Sequence, residues 1–188
     1  MRYLFFLSLI LINASFLNAK SIMQIEVSGS IKGIVKIELF EKLSPNHVKQ
    51  ITNLVKSKKY DGVAFHRVID GFMAQTGDVK FGNLFIGFSP SKVGMGGSDL
   101  ENLMSEFSDV PFDRGIVGMA RAQNPNSANS QFFIMLQDGH FLNGNYTVFG
   151  KVLSGMEVVD KIRKGDPNKN GVIVKDPDYM KEVKIIEN

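Results

Sequence analysis

The chain reads as a mainly β protein, a closed antiparallel barrel with helices covering its ends. Three observations predict this. Short runs alternate apolar and polar residues, which is the pattern of half-buried strands. Only two segments carry helical spacing. The order is strands, helix, several strands, helix, strand, and the absence of strand–helix alternation argues against a doubly wound parallel sheet.

Taken in order, "IMQIEVSG" and "GIVKIELF" flank "SGSIKG" and predict a β-hairpin, with Ile34, Val35, Ile37 and Leu39 supplying strand-type side chains. "SPNHVKQITNLVKSKKYDG" predicts a helix: Ser44 is placed to cap it, Pro45 suits its first position, and Val48, Ile51, Leu54 and Val55 recur on one face. Asp61–Gly62 then turns the chain. "GVAFHRVI" reads as a strand. The glycine-rich stretch from Val79 to Phe107 reads as a long loop. "GIVGMARA", "SQFFIML" and "YTVFGKVL" are further strands, with the turn-forming "QNPNSANS" between the first two. "GMEVVDKIRKG" predicts a second helix ending at Gly165, and "EVKIIEN" a last strand.

The first 19 residues stand apart. Arg2 precedes an apolar run from Tyr3 to Ile12, and small and polar residues follow. This is the layout of a cleaved secretory leader, and a run of about ten residues is short of the roughly 20 a membrane-spanning helix needs. Cleavage is expected after Ala19, with Ser21 as second choice. Residues 1–19 are thus a signal peptide and residues 20–188 one folded domain. Loss of Arg2 takes the net charge from +3 to +2, too mild to argue for nucleic acid. The chain has no cysteine. Disulfides, a thiolate nucleophile and thiolate metal ligands are therefore excluded.

The chemistry-bearing residues exclude most reaction classes. The three histidines, His47, His66 and His140, lack metal-site spacing. No phosphate-binding glycine loop or nucleophile elbow is present. Glu101 and Glu106 read as a solvated surface, and His47 as helix surface. No metal or cofactor is expected. What recurs instead is an aromatic and amide set around Arg67. Strand alternation puts Phe132 and Phe133 on opposite faces, one in the core and one free to line a groove. Phe65 and Phe149 read as core.

"FHRVIDGFMAQTGD", "GMARAQNPNSANSQFFIML" and "FLNGNYTVFGKV" together resemble the cyclophilin family of peptidyl-prolyl cis-trans isomerases, from about Gln24 to the C-terminus. The resemblance implies an eight-stranded antiparallel barrel capped by two helices, with a prolyl-peptide groove on its outer face. It implies a catalytic Arg67 and a proline pocket of Phe72, Met73, Phe133 and Leu142. Gln75 and Gln131 take polar positions, and Ala120, Arg121 and Ala122 lie along the substrate backbone. Phe141 stands where many members carry Trp, and Tyr146 where many carry His. Arg121 replaces an Asn common in the family.

The residue types suit the reaction. Rotation about X–Pro breaks no covalent bond, so it needs no nucleophile, metal or redox group. His66 is accordingly expected to position Arg67 rather than to move a proton. The segment from Val79 to Met95, apolar through Phe81, Leu84, Phe85, Ile86 and Phe88, either folds back on the barrel or forms a lip beside the groove. The expected function is an exported, monomeric, periplasmic isomerase acting on proline-containing polypeptide chains, without stable membrane association. The alternative is a chaperone or proline-peptide-binding module with weak or no catalysis.

Overall fold

The computed structural model describes residues 20–187. The leader predicted over residues 1–19 lies outside them. Strands β1 (Ser21–Ser28) and β2 (Gly33–Leu39) form the predicted hairpin, and α1 (Pro45–Lys56) follows. Next come β3 (Val63–Ala64), β4 (Arg67–Ile69), β5 (Met73–Thr76), β6 (Gly82–Asn83), β7 (Gly87–Phe88) and β8 (Ile116–Met119). After these come β9 (Phe132–Met135), β10 (Val148–Ser154), α2 (Met156–Val159) and β11 (Tyr179–Glu187).

All the strands belong to one antiparallel sheet in the order β4-β5-β9-β8-β10-β2-β1-β11-β3-β6-β7. Only Phe65 and His66 separate β3 from β4 in sequence, yet eight strand positions separate them in this order. The sheet must therefore curl until the two meet. Eleven short strands replace the expected eight for a simple reason. The predicted "GVAFHRVI" strand is interrupted at Phe65–His66, where the backbone leaves one neighbour for another: Phe65 N–H donates to the Asp178 carbonyl and His66 N–H to that of Gln75. Counted as one stave, β3–β4 leaves eight around the barrel. The pair β6–β7 is a side hairpin on β3.

Alternation along β9 sorts the interior from the outer face. Phe132 and Ile134 join the barrel core with Phe65, Val68 and Phe149, whereas Phe133 and Met135 pack outside with Met73, Phe112, Ile116 and Leu142. Neighbouring β8 carries Gly118 on that outer face, where a Cβ would lie 2.6 Å from the Phe112 ring and 2.7 Å from Phe133. Glycine there lets the Phe112 and Phe133 rings stack at 5.8 Å.

The helices differ from expectation in detail. Val48, Ile51, Leu54 and Val55 of α1 enter the core as predicted, but the Ser44 hydroxyl makes no capping bond. Glu106 caps the helix instead, its carboxylate accepting from the N–H groups of Asn46 and His47 at 3.1 Å each. A carboxylate at this end also meets the positive pole of the helix. Glu106 thus leaves the solvated role expected of it, while Glu101 is exposed. His47 is fully buried, not on the helix surface, with Nδ1 at 2.6 Å from the Glu106 carboxylate. Burial pushes its pKa down against the pull of Glu106. The second helix stops at Val159, with Gly165 beyond it. Among the described residues no helix is long and apolar enough to cross a membrane.

The segment 79–95 folds back on the barrel. Asp78, wholly buried, holds both of its ends: Oδ1 accepts from Lys80 and Phe81 N–H, and Oδ2 from Gly94 and Gly96 N–H. Its tip remains open, with Ile86 82% exposed and Phe85 resting edge-on against Tyr179.

Candidate active site

The outer face of β4, β5, β8 and β9 carries a groove with two adjoining cavities. The first, about 310 Å³, has an apolar floor of Phe133, Met73 and Leu142, all buried, under a rim of Phe72 and Phe141. Arg67, Gln75, Ala120, Arg121 and Tyr146 complete it. The second, about 460 Å³, shares Gln75, Ala120 and Arg121 with the first and adds Gln131, Ala122 and the backbone from Gly94 to Ser98. All twelve predicted site residues thus meet in one groove. Ala122 and Gln131 belong to its second, polar half. Ten of the twelve line the first cavity, and Gln75, Ala120 and Arg121 stand between the two.

Local structure places each side chain. Arg67 and Gln75 are cross-strand partners in the β4–β5 ladder, and Gln75 in turn faces Phe133 across β5–β9. Directly opposed side chains on one sheet face lie close enough to touch. Arg67 Nη1 accordingly donates to Gln75 Oε1 at 3.1 Å. Gln75 Nε2 donates to Gln131 Oε1 at 2.9 Å, and Gln131 Nε2 to the carbonyls of Gly94 (3.0 Å) and Gly96 (2.7 Å). This relay ties the arginine to the loop that Asp78 anchors.

The remaining grip on Arg67 comes from a residue that sequence reasoning missed. Nε donates to the Asn170 carbonyl at 3.0 Å and Nη2 to Asn170 Oδ1 at 2.9 Å. Guanidinium has five N–H donors. Three go to oxygens. Of the other two, the one on Nη1 meets only the Met73 sulfur, at 3.9 Å, and the one on Nη2 makes no hydrogen bond among the described residues. Arg67 is half-buried, and desolvation moves its pKa down from the free value while Tyr146 opposes the change. It stays charged across the physiological range.

His66 does not hold Arg67 as expected. Its ring is buried beneath Gly94, and neither nitrogen has a hydrogen-bond partner. Burial lowers its pKa, opposed by the charge of Asp78. The imidazole is thus a neutral packing element. Phe141 is 72% exposed and leans on Phe72 with ring centroids 5.4 Å apart. Phe112 and Phe133 both meet Tyr146 edge-on. Outside the groove, Asp113, Asp138 and His140 bring potential metal ligands within 4.8 Å of one another. All three are exposed, and His140 Nε2 already bonds Asp113 at 2.7 Å.

Such a groove can accommodate an apolar ring beside a fixed cation and two amides, and its lining offers no nucleophile. Comparison with known proteins agrees. Residues 22–186 match the family described as cyclophilin type peptidyl-prolyl cis-trans isomerase/CLD. A probable peptidyl-prolyl cis-trans isomerase of Brucella suis is 64% identical over 148 residues, covering 79% of this chain and 75% of that protein. Peptidyl-prolyl cis-trans isomerase-like 3 of Gallus gallus is 36% identical over 160 residues, covering 83% and 92%. A Cryptosporidium parvum cyclophilin type peptidyl-prolyl cis-trans isomerase, solved in the presence of the dipeptide Ala-Pro, superposes with a TM-score of 0.72 at 28% identity, over 89% of this chain and 99% of that one. The chain belongs to the cyclophilin-type peptidyl-prolyl cis-trans isomerase family.

Proposed function

We propose that this isomerase turns X–Pro bonds of exported polypeptides in the Arg67 groove, with Arg67 donating to the prolyl nitrogen. The observation that carries the reading is a half-buried guanidinium with two N–H groups free of oxygen partners at the edge of a proline-sized apolar cavity.

The planar amide has a rotation barrier of about 18–20 kcal/mol because nitrogen shares its lone pair with the carbonyl. Twisting localises that pair on nitrogen, which then accepts a hydrogen bond. A donor fixed beside the nitrogen therefore binds the twisted state better than either planar isomer, and that difference is the catalysis. A partly desolvated, prealigned cation strengthens the contact without reorganising. Phe133, Met73 and Leu142 hold the pyrrolidine ring. Gln75 and the backbone at Ala120–Ala122 steady the residues on one side while the carbonyl on the other swings.

The leader-like residues 1–19, together with a fold that needs no disulfide, support action in a bacterial periplasm, without lasting membrane attachment once the leader is removed, and the protein is taken to act there as a monomer. Mass spectrometry of the mature N-terminus checks the leader, with Lys20 as the expected first residue. A protease-coupled proline-isomerisation assay on the chain from Lys20 tests the reaction. Arg67→Ala should lose about 10²–10³-fold in kcat/KM, the usual cost of one preorganised donor, and still bind proline peptide. Wild-type turnover in that variant would overturn the role of Arg67.

A further inference from the structure

We propose that Asn170 is a positioning residue for Arg67, fixing the angle at which the guanidinium presents its two uncommitted N–H groups. The proposal rests on the reading of Arg67 as the donor to the prolyl nitrogen.

Asn170 supplies two of the three oxygens that hold the guanidinium, one from its own main chain and one from its own side chain. A left-handed backbone (φ 54°, ψ 34°) makes this double grip possible, and asparagine adopts that conformation more readily than most residues. The loop bearing it is bonded to β4 on both sides of Arg67. Val68 N–H donates to the Gly171 carbonyl at 2.8 Å, Gly165 N–H to the Val68 carbonyl at 2.9 Å, and Ile173 N–H to the His66 carbonyl at 2.8 Å. Gly171 permits the approach. Its φ is 72°, and a Cβ there would lie 2.5 Å from Ile69 and 2.8 Å from the Val68 carbonyl. Asp166 stiffens the entry to the loop by accepting from Asn168 N–H at 2.9 Å.

An exposed hydrogen bond of this kind adds little to folding. Its use is orientational. A free arginine side chain samples many rotamers, and a donor must already be aligned when the nitrogen pyramidalises. Gln75 alone would tether only Nη1 and leave the fork free to swing about that point. The apolar floor does not touch Asn170, so substrate affinity should be indifferent to it.

The test is the isomerase assay with kcat and KM resolved. Asn170→Gly keeps the left-handed backbone and the main-chain carbonyl and deletes Oδ1. It should lower kcat about tenfold, the loss of roughly one oriented hydrogen bond, with KM and Tm unchanged. Asn170→Asp, which restores an acceptor, should recover most of the rate. On an Arg67→Lys background Asn170→Gly should cost nothing further. NMR relaxation of the Arg67 Nε–H should report a looser side chain in Asn170→Gly, a readout that holds even if that variant is less stable. Wild-type kcat in Asn170→Gly, an Asn170→Asp variant as slow as Asn170→Gly, or an undiminished loss on the Arg67→Lys background would each overturn the proposal. Full activity in Arg67→Ala would instead overturn the reading of Arg67 on which it stands.

Discussion

Two arginines line the groove, and they are built for different work. Arg67 gives three donors to oxygens and keeps two in hand. Arg121 spends four donations on carbonyls: Nε and Nη2 on Asn145, and Nη1 on Ala122 and Gln123. Its flat face lies over Tyr146, with Cζ 4.5 Å from the ring centroid. The first is a poised cation. The second is a strut that pins the wall between the two cavities and commits four of its five donors in doing so. Equal charge at two rims does not mean equal chemistry; the count of uncommitted donors separates them.

Four substitutions bear on this contrast, beginning with the largest effect. Arg67→Ala should remove about 10²–10³-fold of kcat/KM, and Asn170→Gly about tenfold of kcat. Arg121→Ala should act through geometry instead. Losing the cation–π contact and the carbonyl clasp should raise KM about threefold and leave kcat within about twofold, since roughly 0.5–1 kcal/mol of wall stiffness is at stake. A kcat loss in Arg121→Ala matching that of Arg67→Ala would dissolve the distinction. The smallest effect is expected at the rim. Phe141→Trp adds an indole N–H where the chain now has none, and should strengthen cyclosporin-type inhibition while turnover stays near wild type. No gain in inhibitor affinity would show that the donor is not what that position contributes.

Acid sensitivity should come from the two buried histidines, His47 and His66. His47 and His66 are buried and neutral, their pKa values held below the unfolded value of 6.5. The unfolded chain therefore takes up their protons first as pH drops below 6.5, and stability should fall from there. Glu106 acts in the same direction lower down. Burial raises its pKa, but bonds from His47 and Asn46 outweigh this and hold it below 4.5, so its contribution should fade as pH falls through the carboxylate range. Thermal melts from pH 8 to pH 4 should record a falling Tm. Glu106→Gln, which loses the charged cap of α1, should cost about 1 kcal/mol at pH 7 and flatten the lower part of that curve. A Tm independent of pH in the parent chain would refute this assignment.

Much of this site could be read in the linear sequence because strand periodicity carries it. Arg67 and Gln75 face one another only because β4 and β5 alternate in register, and the same period of two puts Phe133 outside and Phe132 inside. Asn170 could not be found that way. It lies 103 residues from Arg67, in a loop without period. The Asn–Gly pair signals a left-handed turn but is silent on what the side chain meets. The pairing of His47 with Glu106 is hidden from the sequence for a related reason. Helical spacing marks the apolar face of α1, whereas a buried histidine becomes tolerable only through a carboxylate 59 residues away. Long-range polar pairing leaves no local pattern.

Asp78 holds both ends of the 79–96 segment with a single carboxylate. Such an excursion starts and finishes at the same anchor, and between its ends β6 pairs with β3, Leu84 N–H donates to the Gly62 carbonyl and Phe85 rests on Tyr179. Beyond those ties the turn at Ile86 stands open as a cassette, and sequence can be exchanged or lengthened there without altering the register of the groove. Closing a longer flexible loop costs only about 0.6 kcal/mol per doubling of its length. A catalyst whose floor is fixed can in this way acquire new adaptors at its edge, one loop at a time.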